Sequence, residues 1–268
     1  MKLFERDYFE LNSDEIEKWN DIKSREILYI NNKPSRIRRN MFVEYPKAIR
    51  HYLSLFPNNY LDPMDLKDPL LEITTEKFLN LLNSSNCSER SILNFIKDYK
   101  AYYIVASVLK KNYNFGHHGT YLFPEFELGN SYKADFLLIG KSSSGYEFIF
   151  IEFESPIGNV TIGDGELGEV FRKGLKQIND WEEWLEANYG SLHDNFNKVK
   201  SSEKSLDKEF YKFDRTRIHF VVIAGRRNDF KEKTYRIKRK KIIEENIMLF
   251  HYDNLYDSAF DILCDPTY

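Results

Sequence analysis

Only two cysteines, Cys87 and Cys264, occur in 268 residues, and neither lies in a Cys-x-x-Cys or Cys/His spacing. That excludes a disulfide framework and offers no zinc site, which makes a reducing cytoplasm the expected setting. No apolar run approaches the roughly 18 residues of a membrane span, and the opening MKLFERDYFELNSDE is charged where a signal peptide needs an apolar stretch. Internal repeats and low-complexity tracts are also missing. What remains is a chain with 42% apolar residues, enough for a sizeable core that folds without staples.

The net charge of −3 conceals an asymmetry. Residues 198–241 carry 16 Lys and Arg against 6 Asp and Glu, an excess of 10 that leaves −13 elsewhere. Arg226-Arg227 and the run 238–241 could neutralise a nucleic-acid backbone without reading sequence. A solvated helix face is the equal alternative, since Glu244 and Glu245 follow directly.

Two short segments rich in branched and aromatic residues, 134–139 and 146–153, flank GKSSSG and predict an antiparallel hairpin. Its folding places Asp135 within about two positions of facing Glu152. Side chains alternate along a strand, so Glu152 and Glu154 share one face while Phe153 joins Phe136 and Leu138 on the other. Three converging carboxylates repel one another unless a cation sits among them, and hard oxygen ligands suit Mg²⁺ or Mn²⁺. The bland alternative is the solvated edge of a hairpin.

Further elements follow from periodicity and breakers. Prolines 57, 63 and 69 mark residues 54–71 as loop or linker, with a boundary near Ile73 between an N-terminal region, 1–73, and a second unit, 74–268. A short helix is predicted over 75–82. Ser88 caps a longer one from Glu89 to about Lys111. Strands at 121–128, 132–139 and 146–154 precede a helix ending at Asn188, whose buried stripe runs from Leu167 to Leu185. A strand at 217–224, a helix at 231–246 and a closing strand at 247–252 complete an α/β order of αβββαβ extended by αβ.

Several words of the sequence occur together in one order: FPEFELG (123–129), ADFLL (134–138), IEFESP (151–156), QINDWEEWLEAN (177–188), VIAGRR (222–227) and HYDNL (251–255). Asp135, a hairpin, then Glu152-Phe153-Glu154 resembles the PD-(D/E)xK nuclease core. The ordered words resemble, more narrowly, the Shedu anti-phage defence nucleases over roughly residues 74–268. The resemblance implies a restriction-endonuclease-like core with a mixed sheet, metal-dependent DNA hydrolysis with Mg²⁺ (or Mn²⁺), and self-association into a homo-oligomer. DNA is the implied partner, with a phage-derived trigger as a further candidate.

On that resemblance Asp135 and Glu152 hold the metal. Glu154 stands where most such nucleases carry Lys, and so would act as a ligand or base. Lys133, on the Asp135 face of its strand, is a candidate for the missing cation, although a surface Lys is the commoner explanation. Glu89, at the start of a helix, is a candidate auxiliary metal-directed acid, though the helix dipole favours an acid there in any case. Gln177 and Trp181 are one turn apart and match a Gln-x-x-x-aromatic feature of the family. Glu125 and Glu127 are of second rank, and the pair His117-His118 has no partner at useful spacing. Beside the nuclease reading stand two others: a nuclease fold that has lost turnover and holds nucleic acid, and a sensor or scaffold protein whose N-terminal region recognises.

Overall fold

The computed structural model describes residues 2–268. Its elements run in chain order through helix α1 (Ser13–Glu26), the hairpin β1 (Ile27–Ile30) and β2 (Lys33–Arg38), and helices α2 (Lys47–Tyr52), α3 (Leu70–Leu82), α4 (Glu89–Asp98), α5 (Tyr102–Ala106) and α6 (Val108–Asn112). Strands β3 (Gly119–Leu128), β4 (Tyr132–Ser142) and β5 (Gly145–Phe153) follow, then the short pair β6 (Thr161–Ile162) and β7 (Glu166–Leu167). The remainder is α7 (Glu169–Asn188), α8 (Leu192–Val199), β8 (Ile218–Ile223), α9 (Glu232–Glu245), β9 (Ile247–Phe250) and α10 (Tyr252–Cys264).

The fold is α/β, built on a mixed five-stranded sheet in the order β3-β4-β5-β8-β9 and flanked by helices. The three strands linked by tight turns pair antiparallel, while β5, β8 and β9 pair parallel because helices intervene between them. Central β5 and β8 are covered on both faces, which is why they read as apolar runs. Side-chain alternation divides the sheet between two cores. Phe136, Leu138, Ile149, Ile151 and Phe153 pack with α3 to α6 and α10, and the rings of Phe136 and Phe153 lie 5.4 Å apart as the pattern predicts. Leu137, Ile139, Phe148, Phe150, Phe220 and Val222 pack with α7 and α8 on the other side.

Several expectations change. The helix expected from Glu89 to about Lys111 ends at Asp98. Lys100 turns left-handed (φ 50°) and the Ala101 N–H caps the Ile96 carbonyl at 2.9 Å, a Schellman-type stop made without glycine. The chain restarts as α5, buried at every position. The prolines of residues 54–71 interrupt regular structure but do not free the segment as a linker. Leu55, Phe56, Tyr60, Leu61 and Leu66 are buried, and Leu61 N and Leu122 N bond across to Thr120 and Asn59 carbonyls, which covers the outer edge of β3. Helix α3 runs through Ile73, and residues on both sides of it share one core. The last strand stops at Phe250, and α10 follows where the sequence reading placed none. Among the described residues no helix is long and apolar enough to cross a membrane.

Candidate functional site

The β4/β5 ladder ends at the pair Phe136 and Ile151, and the same register carried one residue further would set Asp135 opposite Glu152. Asp135 does not continue the ladder through its side chain's neighbours alone: its Oδ2 accepts the Phe153 N–H at 2.7 Å, so the carboxylate leans across the strand end. Glu154 N donates to the Ile223 carbonyl at 2.8 Å, and the Tyr252 hydroxyl donates to the Glu154 carbonyl at 2.6 Å. These bonds fix the carboxyl end of β5, the position where open α/β sheets place their ligands.

The acids are not at a solvated edge. Glu152 is 5% exposed and Glu154 2% exposed, and the Glu152 Oε2 and Glu154 Oε1 atoms are buried without a hydrogen-bond partner. Burial is the main force raising all three carboxyls. Asp135 rises to about 6 against the pull of its Phe153 N–H bond, with the charges of Glu89 and Glu154 adding to the rise. Glu152 rises to about 9, pushed further by Asp135, Glu154 and Glu89. Each ionised neighbour thus makes ionisation of the next acid harder, on top of the cost of burial. Glu154 is raised by burial and drawn back by Lys173. Glu89, the first residue of α4 behind the Ser88 cap, is thus within electrostatic range of all three acids.

The cation in this cluster is Lys173, which the sequence reading missed. Its Nζ stands 2.8 Å from Glu154 Oε2, and that bond raises the lysine's own pKa and keeps it protonated. The adjacent Gly174 explains the approach: a Cβ there would lie 2.7 Å from Val222 Cγ1 and 3.1 Å from Glu154 Cγ, so a bare backbone lets α7 settle on the sheet. Lys173 lies one turn before Gln177 on α7, and a Lys-x-x-x-Gln stripe beside a helical glycine was the available signal. Gln177 is half-buried, and Trp181, one turn on, belongs to the core. Lys133 points elsewhere, bonding Glu125 at 2.7 Å in an exposed pair, and Glu127 is exposed. His117 and His118 stack edge to face on the surface before β3. Much of the basic segment is already paired: Arg226 with Asp253, Arg227 with Asp257, Lys233 with Asp164 and Glu166, and Lys241 with Glu245.

A family model described as Shedu protein SduA, C-terminal, matches residues 86–256. The chain belongs to this Shedu family. The matched span begins just before α4 and ends within α10, so it contains the sheet, both acid-bearing strands and Lys173. Membership ties the chain to anti-phage defence. No curated protein matches the chain.

By their chemistry the acids of this cluster could hold a hard divalent cation. The donors are oxygen only, buried, mutually repelling and partly unpartnered. Among the described residues no three His, Cys, Asp or Glu side chains form a ready metal-binding group. Mg²⁺ does not require one, because it is usually held by one or two carboxylates together with waters and substrate phosphate.

Proposed function

We propose that this Shedu chain is a metal-dependent DNA endonuclease that hydrolyses phosphodiester bonds in defence against phage. The observation that carries the reading is the buried cluster of Asp135, Glu152 and Glu154 with Lys173 on its rim. Buried, mutually repelling carboxylates that a single lysine offsets only in part suit a site completed by a divalent ion.

Asp135 and Glu152 are the residues that would hold Mg²⁺ or Mn²⁺, with Glu89 and Glu154 outside them. The ion would polarise the scissile phosphate, assist loss of a proton from the attacking water and stabilise charge on the leaving oxygen. Glu154 Oε1, buried and unpartnered with its proton affinity raised, suits the acceptance of the water's proton. Lys173 stays protonated and supplies the positive charge that the usual lysine of the Glu-x-Lys strand would give, delivered from α7 instead of β5. Gln177, one turn along, would orient the phosphate or the water. As water attacks phosphorus, the bond to the leaving sugar oxygen breaks and that oxygen takes up a proton.

Purified chain incubated with plasmid DNA should nick or cut it in Mg²⁺ or Mn²⁺ and stop on addition of EDTA. Asp135→Ala and Glu152→Ala should each abolish cleavage while leaving the circular-dichroism spectrum unchanged. Undiminished cutting by both variants would remove the site from consideration. Binding of DNA without cutting under every metal condition would favour a fold that has lost turnover.

A further inference from the structure

A cavity of about 430 Å³ opens beside Asp135, between α4 and the β3–β4 edge. Arg90, Asn94 and Lys97 line it from the helix, Lys2 from the N-terminal segment, and Pro124, Glu125, Asp135 and Phe136 from the strands. Positions 90, 94 and 97 recur at helical spacing, so one face of α4 is presented to the cavity. All three are exposed, and among the described residues Arg90 and Lys97 have no carboxylate at ion-pair distance. That sets them apart from the Arg226, Arg227 and Lys233 side chains, which are engaged.

The strand side of the cavity is distorted at one position. Pro124 pairs with Phe136 and Phe126 with Ala134, which places Glu125 opposite Asp135, yet that step is unpaired. Glu125 takes a left-handed backbone (φ 49°), uncommon for a residue with a side chain, and its carboxylate pairs with Lys133 at the rim of the cavity, where Lys97 also helps to lower its pKa. The Asp135 step is therefore missing from the ladders on both sides, and Asp135 meets the cavity instead of being closed over by β3.

We propose that this cavity holds the sugar–phosphate backbone of a single nucleic-acid strand next to the scissile bond, with Arg90 and Lys97 as its phosphate ligands and Asn94 as a hydrogen-bonding partner. The inference rests on the nuclease reading for what happens at Asp135, but its binding half stands separately. The placement of the cations selects one backbone. The opening lies between one helix and one strand edge with its phosphate-binding cations on the α4 wall, an arrangement that takes one backbone, whereas the second backbone of a duplex lies across a groove about 6 or 12 Å wide. One strand threading between α4 and the bulged edge fits, its phosphates facing the two cations and its apolar parts facing Pro124 and Phe136.

The test is fluorescence anisotropy of the full chain in EDTA, which prevents cleavage, with a labelled single-stranded DNA oligonucleotide and with the same sequence as a closed hairpin duplex. Arg90→Ala with Lys97→Ala should weaken single-strand binding tenfold or more and lower the salt slope by about 1.4, as expected for two lost phosphate contacts, with a smaller effect on the duplex. In Mg²⁺ the same variant should raise KM for the single strand more than it lowers kcat. Both side chains are exposed, so folding should be unchanged by circular dichroism, and Lys97→Glu alone should show the same direction more strongly. Single-strand affinity and salt slope equal to wild type would overturn the proposal, as would equal losses for strand and duplex. If the variant loses single-strand binding but wild type never cuts in any metal, the groove stands and the nuclease reading falls.

Discussion

Replacing Glu152 with Gln should stabilise the metal-free protein while destroying its response to Mg²⁺. The carboxyl ordinarily titrates at 4.5 and is pushed to about 9 by burial and by neighbouring acids. An acid whose folded pKa lies above its unfolded value binds more protons when folded, so its contribution weakens stability steadily as pH rises from about 4.5 to about 9. At pH 7.5 the unfolded chain is ionised and the folded one retains the proton. Three pH units at about 1.36 kcal/mol each set a ceiling of about 4 kcal/mol on the penalty. Gln keeps the volume and a hydrogen-bonding group without the charge. With about half the ceiling recovered after relaxation around the site, about 2 kcal/mol corresponds to a rise on the order of 4–8 °C in Tm. Differential scanning fluorimetry in EDTA at pH 7.5 measures it directly. Adding Mg²⁺ should raise the wild-type Tm and leave Glu152→Gln unmoved, because binding to the folded state alone is what shifts the curve. An unchanged or lower Tm for the variant in EDTA, or an equal Mg²⁺ shift in both proteins, would refute the argument that this carboxyl is held at a cost for a cation.

Other perturbations read other parts of the structure. Lys173→Met should leave Glu154 without its cation, raise that carboxyl further and reduce DNA cleavage by about 10²-fold or more. Lys173→Arg should restore part of it, and a methionine variant as active as wild type would show that Lys173 only decorates the rim. Gly174→Ala adds a methyl 2.7 Å from Val222 Cγ1 and should cost about 1–3 kcal/mol in urea denaturation, with a parallel loss of cleavage as α7 is pushed from Glu154. His51 is fully buried, stacked on Tyr8 and bonded to the Pro57 carbonyl, and burial lowers it from 6.5 to about 4. Its folded pKa lies below the unfolded value, so stability falls as pH drops from about 6.5 towards about 4, by up to about 3 kcal/mol. Acid titration of Tm should show that slope, and His51→Phe should flatten it relative to wild type.

The sequence reading located the central strands because buried parallel strands leave apolar runs of recognisable length, as at residues 218–223 and 146–153. It also placed Asp135 within about two positions of facing Glu152, since a tight turn limits hairpin register and period 2 fixes the face, and the ladder ends one step short of that pair at Phe136 and Ile151. The stop of α4 was invisible because Lys100 in a left-handed cap carries no compositional mark. Residues 54–71 look like a linker by their prolines, and only packing shows Phe56 and Leu61 seated in the cores. Lys173 escaped notice because 19 residues and a change of element separate it from Glu154, the acid it meets, and no periodicity links a helix face to a strand end.

What the amino-acid order determined alone was which carboxylates share a strand face and where helices and strands alternate, because those follow from local geometry repeated every two or 3.6 residues. The tertiary structure decided which cation reaches them, how deeply they are buried and that β3 opens a groove beside Asp135. Proton affinity and access depend on what lies across space, and chain-local patterns carry no record of it.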